Sequence, residues 1–248
     1  MDGSSLRATE CHASVHHPHP RGHHLSGSSR STDLFRRLAQ LYVGLALYGA
    51  SSAALVRAGL GLEPWGVLHQ GLAQRTGLTI GVVSIAVGAV VLLLWIPLRQ
   101  RPGLGTVSNV VVVGLAMDGT LALVPEVHGL TGRIALLVGG IVVNGAATGL
   151  YIAARFGPGP RDGLMTGLHA ATGRSVRLSR TCVEVAVVVT GFVLGGTVGV
   201  GTVLYALAIG PLAQFFLRLF AAPAPAPAGP AVRDDPRDPE QGRAILPG

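Results

Sequence analysis

The chain has 248 residues, of which 49% are hydrophobic and only 12% charged, against about 25% charged in an ordinary soluble domain. All 19 basic residues are arginine and the net charge is +7; they lie between long apolar runs rather than on one polar face, which argues against a nucleic-acid-binding protein. Cys11 sits in a polar stretch and Cys182 in an apolar one, so neither an intrachain disulfide nor a paired-cysteine metal site is expected.

In chain order, residues 1–33 are rich in Ser, His, Gly and Arg and read as a disordered tail. Its histidines (His12, His16, His17, His19, His23 and His24) are irregularly spaced and fix no metal geometry; no metal or cofactor is expected anywhere in the chain. Residues 34–126 then hold an uncharged run from Leu38 to Val56, a hinge (GLEPWGVLHQGLAQRTG, 61–77), a second uncharged run from Thr76 to Leu98, and Pro102 to Pro125 with Asp118 as its one acid. Residues 127–220 hold an uncharged run from Ile134 to Ala154, a second hinge (GPGPRDGLMTGLHAATG, 157–173), and Thr181 to Leu217 with only Glu184 charged. That last run is too long for one crossing of a hydrocarbon core about 30 Å thick, and GGTVGVG at 195–201 is where it folds into two. Residues 221–248, Pro/Ala-rich and then mixed in charge, read as an extended tail. The expected architecture is all-α, with six transmembrane helices. Arg36-Arg37 before an apolar run also resembles a signal peptide, but the polar leader is long for one.

A shift of 96 residues aligns the two hinges without a gap: Gly61 meets Gly157, Pro64 meets Pro160, Gly71 meets Gly167 and Thr76-Gly77 meets Thr172-Gly173, seven identities in 17 positions. The same shift pairs Gly44 with Gly140, Gly49-Ala50 with Gly145-Ala146 and Gly105-Thr106-Val107 with Gly201-Thr202-Val203. Three crossings per copy is an odd number, so the copies are expected to form an inverted repeat, the plan common among secondary transporters. With the N-terminus inside, 16 arginines fall on the cytoplasmic side and only Arg57, Arg75 and Arg133 outside, which predicts a multi-pass inner-membrane protein with both termini cytoplasmic.

Each hinge places proline at the start of a helix of about a dozen residues and glycine past its end. Such a helix spans roughly 18 Å, enough to lie on the surface as a connector or to dip into the membrane as a half-helix. In the second case its uncapped N–H groups favour an anion. The candidate binding residues are Pro64, Trp65 and His69 in the first hinge, Pro160, Arg161 and Asp162 in the second, and the intramembrane acids Asp118 and Glu184. Glu184 is four residues after Arg180, so a helical ion pair is expected there. Asn109 and Asn144 are expected to hydrogen-bond between helices. No enzyme motif is present.

The segments EPWGVLHQGL (63–72), GTVSN (105–109), GLAMDG (114–119), GPGPRDGLM (157–165) and GGTVGVGTVLYALAIGP (195–211) resemble the YczE-like family of bacterial integral membrane proteins, often grouped with YitT-type proteins. The likeness covers roughly residues 34–220. In the family the first hinge often reads PWD, and Gly66 departs from that. The resemblance implies a multi-span membrane protein and no particular substrate. The expected function is a solute transporter or pore-like protein, with the lipid bilayer and an unknown small solute as its partners; the alternative is a non-transporting membrane accessory protein.

Overall fold

A computed structural model describes residues 27–221, with side chains from residue 32. The described residues form eight α-helices and no strand: α1 (Gly27–Ala58), α2 (Pro64–Thr76), α3 (Ile80–Trp95), α4 (Leu104–Leu123), α5 (Leu130–Ala153), α6 (Pro160–Thr172), α7 (Val176–Val193) and α8 (Val200–Phe220). The expected tails, His-rich segment included, lie outside the described residues except at their inner ends, where Gly27 to Asp33 are already helical. The described residues 27–36 belong to a separate unit, in which Arg36 pairs with Asp33 at 3.1 Å. The second unit, from Arg37 onward, holds the rest of α1 and all the other helices.

Four helices are long and apolar enough to cross a bilayer: Thr32–Ala58, Leu104–Leu123, Leu130–Ala153 and Val200–Phe220. A fifth crossing results if α2 and α3, bent by 113° at their break, are counted together. By this measure the sequence expectation of six is met by four or five. The reason is physical: α3 has 16 residues, about 24 Å of helix, and α7 carries Arg177, Arg180 and Glu184.

The two hinges form helices with matching ends. Proline opens each where no intrahelical N–H is lost, and each closes on a glycine in the left-handed region, Gly77 at φ 73° and Gly173 at φ 68°. The entry turns use the same device, Gly61 at φ 116° and Gly157 at φ 118°.

Contacts between the two parts of the chain recur in pairs at the 96-residue shift. Arg37 Nε donates to the Ala154 carbonyl at 3.1 Å, and Arg133 Nε to the Ala58 carbonyl. Gly105 N donates to Phe156 O at 2.9 Å, and Gly201 N to Leu60 O at 2.8 Å. Thr79 and Ser175 cap α3 and α7 in the same way. Glycines set the close approaches. A Cβ on Gly44 would lie 2.9 Å from Tyr151 N, and one on Gly140 would lie 3.0 Å from Leu55. A Cβ on Gly49 would press on Ala116 and Met117 of α4, and one on Gly145 on Leu212 and Ala213 of α8. The buried clusters around Leu41–Leu45–Ala147–Tyr151 and Leu55–Leu137–Ile141–Tyr205 fill the space between these crossings.

Gly49→Ala drives a methyl against the Val113 carbonyl and is expected to lose about 1–3 kcal/mol of stability. Gly139→Ala, whose Cβ meets nothing within 4 Å, gains up to about 1 kcal/mol from helix propensity. Thermal melts in detergent of both variants check the pair.

Candidate functional site

The starts of α2 and α6 converge on a cavity of about 370 Å³. Neither start has a side-chain cap, so the first N–H groups of both helices lack intrahelical acceptors. The walls come from Tyr48 of α1, Asn109 of α4, Thr148 and Tyr151 of α5, Arg180 and Glu184 of α7 and Tyr205 of α8. Residues of the chain hold the α6 start in place. Trp95 Nε1 donates to the Pro160 carbonyl at 3.1 Å, and Thr106 Oγ1 donates to the Pro158 carbonyl at 2.7 Å. Behind the wall, Asn144 donates to Ser51 Oγ (2.8 Å) and accepts from the Tyr205 hydroxyl (2.9 Å), fixing α1, α5 and α8 together.

Arg161 projects into this space. Its guanidinium carbon lies 5.5 Å from the ring centres of both Tyr48 and Trp65, within cation–π range. Among the described residues no carboxylate forms an ion pair with it; the buried Glu63 attracts it through space. The neighbouring charges are committed elsewhere: Arg180 binds Glu184 at 3.0 Å, and Asp162 accepts from the Tyr151 hydroxyl at 3.3 Å.

Sequence reasoning passed over Glu63. It is only 3% exposed, and its Oε2 has no hydrogen-bond partner. Its carboxylate folds over Gly66, where a Cβ would lie 2.8 Å from Glu63 Cδ. In the second hinge the roles are exchanged: Asp162, the counterpart of Gly66, folds over Gly159, the counterpart of Glu63, with Oδ2 3.3 Å from a Cβ built there. The starts of α2 and α6 therefore each carry one carboxylate over a glycine, three residues apart, in opposite order. The signal available in sequence was an acid immediately before the helix-opening Pro64.

Of the candidates read from the sequence, Pro64, Trp65, Pro160, Arg161, Asp162 and Glu184 line the cavity together. His69 is buried and lines a neighbouring space of only about 30 Å³, shared with Trp65 and Arg161. Asp118 is not among the lining residues of either. Its carboxylate accepts from Thr79 Oγ1 and, at 2.8 Å, from Gly81 N at the start of α3. Its partner is thus distant in sequence, and an acid at a helix start is where one is stabilised. The small space is the 96-shift counterpart of the large cavity: Ser84, Gly88 and Asn109 stand in it where Arg180, Glu184 and Tyr205 stand in the other.

Residues 35–218 match a family of unknown function, DUF6198. The chain belongs to this family. It is 38% identical to an uncharacterized protein of Haemophilus influenzae over 79% of this chain and 90% of that one. It is 34% identical to the uncharacterized membrane protein YczE of Bacillus subtilis over 64% of this chain and 74% of that one, in keeping with the YczE-like resemblance of its motifs. The uncharacterized protein YyaS of the same bacterium is 26% identical over 71% of this chain. No solved structure matches. The family and the apolar helices make this a multi-span membrane protein.

Asp118→Ala removes the acceptor of Gly81 N and of the Thr79 hydroxyl at the α3 start and is expected to lower stability by about 1–2 kcal/mol without weakening any ligand held at Arg161. Denaturation in detergent, with ligand titration of the surviving fold, measures both.

Proposed function

We propose that this protein is a carrier for a small carboxylate-bearing solute, built from six membrane spans in two inverted three-span halves. Both termini face the cytoplasm of a bacterial inner membrane. In this reading α1, α3 and α4 form one half and α5, α7 and α8 the other, with α2 and α6 as half-helices entering from opposite faces. The contacts paired at 96 residues support a two-fold relation between the halves. So does the paired hinge geometry.

The observation that carries the reading is the unpaired Arg161 guanidinium in a cavity where two uncapped helix starts converge. The Arg161 guanidinium and the N–H groups of two helix starts face this space and can receive an anion, with the carboxylates of Glu63 and Asp162 lying over those same starts. A guanidinium fork fits a planar carboxylate through two parallel hydrogen bonds. The rings of Tyr48, Trp65, Tyr151 and Tyr205 line or adjoin the same space, so the solute's body is apolar or aromatic. About 370 Å³ is at the small end of ligand sites. The contrast between this cavity and its counterpart of about 30 Å³ favours a carrier open to one side over a continuous pore. Two halves that exchange these shapes would expose the site first to one face and then to the other.

Isotope exchange of benzoate across proteoliposomes, run at about pH 8 where the membrane-permeant free acid is scarce, tests this. Wild-type protein is expected to exceed empty vesicles, Arg161→Ala to fall to their level and Arg161→Lys to lie between, since a point charge does not reproduce the fork. Exchange that is absent for wild type across a panel of carboxylates, or unchanged in Arg161→Ala, would overturn the reading.

A further inference from the structure

We propose that Glu63 takes up a proton when a carboxylate solute binds Arg161, so that solute and proton are held together. The inference rests on the carrier reading above and adds the coupling ion to it. Around the cavity Arg161 and Arg180 balance Asp162 and Glu184, and Glu63, buried next to the helix-opening Pro64 and in electrostatic reach of Arg161, adds one further negative charge. A bound anion would raise that excess to two in a medium of low dielectric, where like charges repel strongly. One acid must then become neutral.

Geometry selects which. Glu184 is held by Arg180 and Asp162 by the Tyr151 hydroxyl. Glu63 alone of the three is 3% exposed with an oxygen lacking any partner, the arrangement in which a carboxylate is costly unless paired. The groups facing it are Arg161 from α6, Tyr205 from α8 and Ser52 from α1, whose Oγ lies beside it but outside hydrogen-bond geometry. Arg161 is thus the cation that Glu63 and the solute both attract. When the solute carboxylate occupies the fork, an O–H bond forms on Glu63 as an O–H bond of a solvent hydronium ion breaks and leaves water, a net uptake of one proton.

The carboxylate over Asp162's half-helix marks the same place in the other half. Asp162 lines the open cavity, whereas Glu63 is buried and lines neither space. Exchange of the two shapes would bring Glu63 to water, where its proton can leave.

The test is benzoate binding to the full chain in detergent, followed by thermal shift from about pH 6 to about pH 9, where the probe stays ionised. For wild type the apparent affinity is expected to fall by up to about tenfold per pH unit, with uptake of about one proton per benzoate measured by dye in weakly buffered solution. Glu63→Gln is expected to bind with no pH dependence and no proton uptake. The double change Glu63→Gly with Gly66→Asp returns the carboxylate to the same place in the second hinge's order and is expected to restore both; it also serves if Glu63→Gln does not fold. Wild-type affinity independent of pH, or a Glu63→Gln variant that keeps the wild-type slope, overturns the inference while leaving the Arg161 site standing. Benzoate that fails to bind wild type at every pH overturns the site and the inference with it.

Discussion

A guanidinium inside an apolar bundle has to be surrounded by groups that tolerate its charge, and the centre of this fold is arranged around Arg161. Two ring faces lie within cation–π range of it, one buried acid attracts it through space, and it lines a cavity with no carboxylate in ion-pair contact among the described residues. The half-helix that presents it is fixed at its first residue by Trp95 and at its entry turn by Thr106. A charge so held is an interaction left open, and the open side is where a ligand would complete it.

The scaffold and the chemistry follow different rules. The backbone contacts obey the 96-residue relation closely, down to the two arginines that tie the end of one long helix to the other half and the glycines that set the crossings. The side chains around the cavity do not. Arg161 stands opposite Trp65, Glu184 opposite Gly88 and Tyr205 opposite Asn109, so one half carries the charged wall and the other the small one. The backbone contacts are thereby duplicated while the charged side chains are concentrated in one cavity. The carboxylates are the exception: each hinge keeps one, at exchanged positions, so that a glycine in each copy makes room for the acid of the same copy.

Much of this was legible before any coordinates. Proline and Thr-Gly marked the limits of α2 and α6 to the residue, because a missing N–H and a left-handed exit are local requirements that side-chain type reveals. The break near residues 195–201 followed from length alone. Glu184 with Arg180 followed from helical spacing. What sequence did not reveal depends on packing between distant segments. Asp118 looked unpartnered because Thr79 and Gly81, which hold it, are brought to it by the crossing of α3 and α4. Glu63 was passed over because its burial is a property of the folded chain that the residues beside it do not announce. The mismatch of Gly66 with an acid at the second hinge looked like lost symmetry, whereas the acid had moved three residues and kept its place in space.

The central claim is that the two hinge starts meet in one cavity rather than lying as connectors on opposite faces. Single cysteines introduced as Pro64→Cys and Pro160→Cys, on a background with Cys11 and Cys182 replaced, probe this directly with a membrane-impermeant thiol reagent applied to one face of sealed vesicles at a time. If the starts share the cavity, reagent from the cytoplasmic face labels both positions. Labelling of each position only from its own, opposite face would place the hinges at the two surfaces and contradict a shared site.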